Sequence, residues 1–240
     1  MKKRNEIRDI KVSLPDWVEP PRPDFGEIEG QYVKIARLSV DQHGAAIHRA
    51  NIVDDVIWDH LPYGPFGEES DYRDWVRSVE NGEDPMFFAI FEKEVDHWAG
   101  VASYLRIAPK AGSIEVGHIN FSKSLQKTRA ATETMYLMMK WAFEAGYRRY
   151  EWKCDAANRP SRRAAERLGL SFEGVFRQAL VVKGRNRDTA WFAAIDGEWP
   201  SLQKAFETWL DPLNFDTAGR QIKSLRALTA PVRVSDDPLT

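Results

Sequence analysis

The sequence predicts a mixed α/β fold, in which helices flank a sheet that contains both antiparallel and parallel strands. Residues 86–92 and 97–107 are strand candidates separated by a short polar segment, which indicates a hairpin, and residues 113–122 alternate like a third strand. A helix, a strand, a second helix and two more strands follow. Because a strand–helix–strand unit places its strands in parallel, the sheet is predicted to be mixed.

The first third of the chain precedes this meander. Residues 1–29 contain four prolines and little periodicity, so we expect an extended lead-in that wraps the domain. Residues 32–38 alternate like a strand, and residues 40–51 predict a helix. A loop rich in proline and glycine then leads to a second helix from about Glu69 to Gly82.

The helix prediction is clearest after the meander. Small and apolar side chains recur at spacings of three and four over residues 128–145, and Gly146 suits the end of this helix. Residues 158–161 read Asn-Arg-Pro-Ser and begin the next helix, because proline is favoured in the first turn. Gly169 ends it.

The remaining segments complete the predicted sheet and close the chain. Residues 148–154 predict a short strand, and residues 170–195 predict two long strands around the hairpin connection 183–186. Residues 198–210 predict a terminal helix. We expect the polar run after Asp211 to be a loosely attached tail.

The charge of the chain is small in total but uneven along its length. A formal net charge of -2 argues against a general nucleic-acid-binding protein. Residues 54–84 contain ten acidic and two basic side chains, whereas residues 123–187 contain fifteen basic and six acidic ones. Such a bias is either two solvated faces or the mark of a half that binds an anion, and composition alone leaves both open.

Cysteine, histidine and hydropathy patterns exclude further classes. The single cysteine, Cys154, excludes an internal disulfide and a Cys-x-x-Cys pair, which favours a reducing cytoplasm. No histidine pair has metal-ligand spacing, so we expect no metal. The apolar runs are far shorter than the ~20 residues that span a bilayer, and we expect no membrane segment.

The segment Leu125–Thr134 reads LQKTRAATET and lies between a predicted strand and a predicted helix. A helix that begins near Thr128 exposes its first amide groups and the positive end of its dipole, where a phosphate can bind. Lys123, Lys127 and Arg129 add positive charge. The chain has no P-loop sequence and no Gly-x-Gly-x-x-Gly after a strand, so the usual cradles for nucleoside triphosphates and dinucleotides are missing.

Three motifs in this order resemble the GNAT acetyltransferases. Residues 126–131 (QKTRAA) match the acyl-CoA loop Gln/Arg-x-x-Gly-x-Gly/Ala, with Arg129 where the family has its first glycine. Residues 158–161 and 166–174 look like the Asn-x-x-Ser and Gly-Phe-x-x-Glu-Gly signatures of the branch related to ribosomal-protein N-terminal acetyltransferases. The resemblance covers roughly residues 30–195.

The resemblance implies a GNAT-like splayed sheet and a division of the chain. We expect a lead-in over 1–29, an acetyltransferase domain over 30–210 and a C-terminal tail over 211–240. It also implies direct transfer of an acetyl group from acetyl-CoA to a primary amine in a ternary complex, without a metal. The implied cofactor-binding residues are Ile119, Phe121, Gln126, Thr128, Arg129, Ala130, Ala131, Thr132 and Asn158.

The resemblance also implies catalytic roles. Ser161 would stabilise the leaving thiolate, although a serine near a helix start often only satisfies a backbone amide. Glu115 is the candidate general base, although its strand could equally show a polar side chain to water. His118, on the other face of that strand by alternation, is a second candidate base, with Asp155 and Glu173 in reserve.

The acceptor would be a small-molecule amine or a peptide N-terminus. Trp58, Tyr63 and Phe66 lie in an aromatic and acidic segment, 58–75, which would border the acceptor side of the cleft. Aromatic faces and carboxylates both attract ammonium groups, which favours a cationic acceptor. The alternative is an ordinary amphipathic helix with its aromatic side chains in the core. The alternative function is a non-catalytic acyl-CoA-binding module.

Overall fold

The computed structural model describes residues 13–240 and confirms the mixed α/β fold. One eight-stranded sheet has the order β1-β2-β3-β4-β5-β6-β8-β7, in which only β5 and β6 pair in parallel. The strands are β1 (Glu27–Glu29), β2 (Val33–Arg37), β3 (Met86–Glu92), β4 (His97–Ala108), β5 (Ser113–Phe121), β6 (Arg149–Asp155), β7 (Ser171–Val182) and β8 (Arg185–Ile195). The predicted lead-in falls partly on residues 1–12, outside the described residues.

Helices cover both faces of the sheet. They are α1 (Val40–Asn51), α2 (Glu69–Val79), α3 (Arg129–Glu144), α4 (Arg159–Arg167), α5 (Trp199–Leu210) and α6 (Leu225–Thr229), with a 3₁₀ turn at Asp55–Trp58. One core cluster packs α3 and α5 against the sheet, and a second packs α1 and α2 against the opposite face. Within residues 13–240, no helix is long and apolar enough to cross a membrane.

Caps explain where the two helices beside the predicted loop begin and end. Thr128 Oγ1 accepts a hydrogen bond of 3.0 Å from the Ala131 amide at the start of α3. Asn158 Oδ1 accepts one of 3.0 Å from the Ser161 amide at the start of α4. Gly169 follows α4 with a φ of +93°, a conformation that glycine adopts without steric cost. Both predicted helices are confirmed.

The sheet opens between its two parallel strands. β5 and β6 pair over only four positions, from Ser113–Arg149 to Val116–Trp152. Beyond that point residues 117–121 and 153–155 have no pairing with each other, so a wedge separates the two strands. This splay is the opening in which the candidate site lies.

A bulge in β5 corrects one prediction from the alternating sequence. The register with β4 shifts between Ser103–Gly117 and Val101–Asn120, and His118 has a φ of +49°. The His118 ring therefore packs against Tyr63 and Phe87 under α1 and α2. His118 is thus on the face that Glu115 occupies, because an extra residue breaks the period of two.

The C-terminal segment 211–240 is packed on the domain, so the expectation of a loosely attached tail was wrong. Leu225 in α6 is fully buried, and Arg162 of α4 forms a buried ion pair with Asp237. The Asp237 amide donates to Glu166 Oε1 at 2.7 Å. Two charged side chains of the segment, Asp237 and Arg226, form ion pairs with Arg162 and Glu166 of α4.

Candidate functional site

A cleft of about 1410 Å³ occupies the wedge between β5 and β6. It is of a size that holds a large ligand together with a second, smaller one. The structure brings ten of the predicted site residues to its walls. They are Glu115, Ile119, Phe121, Gln126, Thr128, Arg129, Ala131, Thr132, Asn158 and Ser161.

The predicted aromatic wall of the acceptor site does not line the cleft. Trp58 is 2% exposed, and Tyr63 and Phe66 pack around it beside α2. Burial of large aromatic surface drives these side chains into the core, which is the alternative that the sequence had left open. The cleft is instead bordered by Asp59 and His60 from the same segment. The side chain of Ala130, which we expected in the cofactor site, is also in the core.

One end of the cleft is built for an anion. The amides of Arg129 and Ala130 open α3, where backbone N–H groups have no acceptor within the helix. Four cationic side chains around this helix start line the cleft, and none forms an ion pair with a carboxylate among residues 13–240. They are Lys127, Arg129, Arg163 and Arg167. Free amides and unpaired cations together fit the phosphates of a coenzyme A group.

Arg129, which stands where the acyl-CoA loop that residues 126–131 resemble has a glycine, does not need the left-handed conformation. It is the first residue of α3, and the left-handed conformation falls on Lys127, with a φ of +65°. The guanidinium of Arg129 lies over the rings of Tyr32, at 5.0 Å, and Phe215, at 4.7 Å. Two aromatic faces thus hold the cation beside the anion-binding end.

Ser161 lies where the cleft passes between β6 and α4. The indole Nε1–H of Trp152 donates to Ser161 Oγ at 3.0 Å, while Asn158 binds the Ser161 amide. The serine hydroxyl therefore accepts one bond from Trp152, and its own proton is within reach of the Cys154 sulfur as well as of a ligand in the cleft. Burial raises the pKa of the neighbouring Cys154 to about 11, which leaves that thiol protonated and poorly nucleophilic.

Glu115 lies in the floor of the cleft within a network of charges. Both of its carboxylate oxygens are 2.8 Å from Arg106 Nη1, and Lys153 Nζ is 2.8 Å from one of them. Lys153 also contacts Glu151 at 2.7 Å. Burial raises the pKa of Glu115, and the bonds from Lys153 and Arg106 oppose that rise. Both oxygens are already in use, so Glu115 has less freedom to accept a substrate proton than the sequence suggested.

His60 and Asp155 form a pair that sequence reasoning missed. His60 Nδ1 is 3.3 Å from Asp155 Oδ2, and both residues line the cleft. The other oxygen of Asp155 accepts a hydrogen bond of 2.8 Å from the Ala157 amide, which fixes the carboxylate. A histidine held at Nδ1 by a carboxylate presents Nε2 as a base. The two residues are 95 positions apart, and no local motif marks them.

A row of polar side chains on β8 also reaches the cleft, and the sequence analysis had not singled it out. Arg187, Thr189 and Trp191 alternate along the strand and all three line the cleft. Thr189 pairs with Asp155 and Trp191 pairs with Lys153 in the neighbouring strand. Cross-strand partners share a face of the sheet, so this row stands beside the His60–Asp155 pair. Its signal in the sequence was the alternation of these residues.

Within residues 13–240, no group of three or more histidine, cysteine or acidic side chains could hold a metal ion.

Comparisons with known proteins identify the family of the chain and similar structures. The family model described as "Acetyltransferase (GNAT) domain" matches residues 38–171. The chain is similar to a GCN5-related N-acetyltransferase from Brucella melitensis, with 42% identity and a TM-score of 0.88 over 90% of this chain and 100% of the other. It is similar to a probable GNAT-family acetyltransferase from Chromobacterium violaceum, with 42% identity and a TM-score of 0.74 over 79% of this chain and 96% of the other.

A more distant structure shares the fold alone. RimL, a ribosomal L7/L12 alpha-N-protein acetyltransferase, has 22% identity and a TM-score of 0.58, over 69% of this chain and 91% of the other. No curated protein sequence matches the chain.

Proposed function

The chain belongs to the GNAT acetyltransferases, and from that premise we propose that it is an N-acetyltransferase that moves an acetyl group from acetyl-CoA directly to a primary amine. Members of this family use acetyl-CoA. The domain that does this would span residues 30–210. Placement in the branch of ribosomal-protein N-terminal acetyltransferases and in the cytoplasm stays a prediction from the motifs and the single cysteine.

The observation that carries the proposal is that the two ends of the cleft offer different groups to a ligand. Unpaired cations and free helix amides lie at the end beside α3, and the His60–Asp155 pair lies across the wedge. Ser161 lines the same cleft from α4. A donor that enters with its phosphates beside α3 would bring its thioester towards the base-bearing end. Orientation of two reactants in this way accounts for a large part of enzymatic rate enhancement.

The anion-binding end would bind and orient the donor. Lys127, Arg129, Arg163 and Arg167 would bind its phosphates, together with the first amides of α3. Bound acetyl-CoA supplies the acetyl group as an activated thioester. The unpaired edge of β5 over residues 119–121 would donate a backbone N–H to the acetyl oxygen, where negative charge develops during transfer.

We propose that His60 is the base that accepts the proton of the acceptor amine. Asp155 holds the ring through Nδ1, so Nε2 is free to accept a proton in the cleft. Glu115 stays a competing prediction, since it also lines the cleft but is bonded to Arg106 and Lys153. Ser161 would donate its hydroxyl proton as a hydrogen bond to the departing thiolate, which lowers the barrier to its release.

Cofactor binding and turnover test the proposal together. Acetyl-CoA at about a hundred times its dissociation constant should stabilise the fold by roughly 2.7 kcal/mol, measured as a rise in the melting temperature. Release of free thiol over a panel of amines measures turnover. A melting temperature that changes with neither acetyl-CoA nor coenzyme A would refute the proposal. A rise in melting temperature without thiol release from any amine would favour the non-catalytic acyl-CoA-binding module.

Two arginines on one helix supply a matched control. Arg163 lines the cleft, whereas Arg159 on α4 is exposed outside it. Arg163→Gln should weaken coenzyme A binding about tenfold through loss of a phosphate contact, and Arg159→Gln should leave it unchanged. Equal affinities for the two variants would contradict the assignment of the phosphate end.

A further inference from the structure

Three hydrogen-bonding atoms on β8 are buried in the cleft without a partner. They are Arg187 Nε, Thr189 Oγ1 and Trp191 Nε1, and no acceptor among the described residues reaches them. Thr189 is only 5% exposed, so bulk water does not satisfy its hydroxyl. A buried polar group without a partner costs about 1–3 kcal/mol. Three such groups on one face of one strand indicate that a ligand rich in acceptor atoms binds there.

Arg187 carries the positive charge of this row. Arg106 and Lys153, the other cations nearby, share the carboxylate of Glu115, and Lys153 also contacts Glu151. Arg187 has no carboxylate within ion-pair distance among residues 13–240. The charge of the neighbouring cations is therefore compensated within the protein, while that of Arg187 is available to a ligand.

The position of the row separates it from the phosphate end. Thr189 lies opposite Asp155 in the register of β8 with β6. Arg187 lies two residues before Thr189 in β8, on the side nearer the hairpin. Asp155 holds His60, so Arg187 and the base lie at the same end of the cleft. The donor phosphates have their own cations on α3 and α4. An anion bound at Arg187 therefore belongs to the acceptor.

We propose that the acceptor is an amine that also carries an oxyanion, a carboxylate or a phosphate, and that Arg187 binds this group with Thr189 and Trp191. The inference rests on the proposed function, since it names the acceptor of that reaction. A guanidinium binds a planar carboxylate or a phosphate through two parallel N–H bonds. The threonine hydroxyl and the indole N–H supply further donors, while the amine of the same molecule reaches His60.

This acceptor differs from the cationic one expected from the sequence. Polyamines and aminoglycosides have no oxyanion, and they would leave the donors of β8 unpaired and place further ammonium groups beside Arg187. Like-charge contact in a cleft weakens binding. The aromatic side chains that favoured a cationic acceptor, Trp58, Tyr63 and Phe66, are outside the cleft.

Matched amines test the inference. Thiol release with acetyl-CoA is measured for the protein amino acids and their amides, and for O-phosphoethanolamine and ethanolamine. Within each pair the carbon skeleton is the same and the oxyanion is present or absent, and kcat/KM is compared per free amine because the oxyanion also raises the pKa of the amine. The anionic member should have a kcat/KM about tenfold higher or more, the value of a charge-assisted hydrogen bond. The amino-acid and aminoalkyl-phosphate arms distinguish a carboxylate from a phosphate.

Two arginines of the same strand provide the variants. Arg187→Gln should reduce the ratio of kcat/KM within each pair to about one, chiefly by lowering kcat/KM for the anionic member. Arg185→Gln, at an exposed position beside the hairpin, should preserve the ratio. An equal loss for both members in Arg187→Gln would place Arg187 at the reacting atoms and overturn its role in recognition. A preference for the neutral or cationic amines would overturn the inference and leave the acetyltransferase proposal standing.

A binding experiment tests the inference without relying on turnover. Calorimetric titration of the coenzyme A complex compares N-acetylated amino acids with their amides, and N-acetyl-O-phosphoethanolamine with N-acetylethanolamine. Tighter binding of the anionic member in the wild-type protein and in Arg185→Gln, lost in Arg187→Gln, supports the oxyanion site. Equal binding of both members refutes it. Absence of thiol release from every amine would contradict the proposed function, while this arm still shows whether the site exists.

Discussion

At the scale of single residues, the cleft separates charges that are compensated from charges that are free. Glu115 forms hydrogen bonds and ion pairs with Arg106 and Lys153, so its carboxylate is held in a fixed position within the protein. The pair of His60 with Asp155 is different, because within residues 13–240 the imidazole has Asp155 as its one hydrogen-bond partner and lines the cleft. A proton acceptor needs an open lone pair as well as a suitable pKa, and geometry favours His60.

Substitutions in the cleft distinguish these roles. His60→Gln should lower kcat by on the order of 10² or more and remove the limb of the pH–rate profile that reports the base, with cofactor affinity unchanged. If Glu115 is the base, Glu115→Gln and not His60→Gln should remove that limb.

Ser161→Ala should lower kcat by a similar factor, and Ser201→Ala, at an exposed position on α5, serves as its control. Wild-type turnover in Ser161→Ala would reduce that residue to a structural partner of Trp152.

At the scale of elements, local signals predicted α3 and α4 well. Their apolar spacing and caps act within a few residues, so the sequence near Thr128 and Asn158 is enough to locate them. The bulge at His118 could not be found in the same way, because it depends on the register with β4. Strict alternation therefore put His118 on the wrong face. The row on β8 became visible only when pairing with β6 placed Thr189 beside Asp155.

The start of α1 gives a prediction about pH. The Ser39 amide donates to His43 Nδ1 at 2.9 Å, and the ring is buried against Trp98. Burial, with a smaller contribution from Lys34, lowers the pKa of His43 from 6.5 to about 4. The unfolded chain therefore takes up the proton first as the pH falls. The contribution of neutral His43 to the free energy of unfolding is complete above about pH 6.5 and is lost progressively towards pH 4.

Urea unfolding at several pH values measures this effect. The wild-type protein should lose stability between pH 6.5 and 4, and His43→Gln should lose less over the same range. His118, whose pKa burial also lowers to about 4, contributes in the same direction and remains in the variant. An identical pH dependence in wild type and His43→Gln would contradict the role of His43 at the helix start.

At the scale of the whole molecule, the C-terminal segment supports the helix that carries Ser161. Arg162 is the next residue in α4, and its guanidinium is bound by Asp237 in the interior. Sequence polarity suggested a loose tail because the ion-pair partners of Asp237 and Arg226, which are Arg162 and Glu166, lie far away in the sequence. The pairing of Arg162 with Asp237 is a long-range contact, which local patterns do not reveal. For the same reason, the His60–Asp155 pair was invisible to motif analysis.

Breaking this ion pair should destabilise the protein strongly. Asp237→Ala leaves the guanidinium of Arg162 buried without a counter-ion, which costs about 3–5 kcal/mol. Asp236→Ala removes the adjacent acid, whose side chain is 74% exposed, and should cost about 1 kcal/mol or less. The measurement is the free energy of unfolding in urea. Similar stabilities for the two variants would contradict a stabilising role of the Arg162–Asp237 ion pair.

The short pairing of β5 with β6 has a mechanical consequence. Four residue pairs between β5 and β6 join the five-stranded part of the sheet, β1 to β5, to the three-stranded part, β6 to β8. Helix α3 packs against both β5 and β6. Such a joint resists bending less than a fully laddered pair of strands, because residues 117–121 and 153–155 form no hydrogen bonds across it. A ligand bound in the wedge would contact both parts of the sheet and restrict their movement relative to each other. The rigidity of the protein would then depend on the bound ligand and would decrease each time the ligand is released.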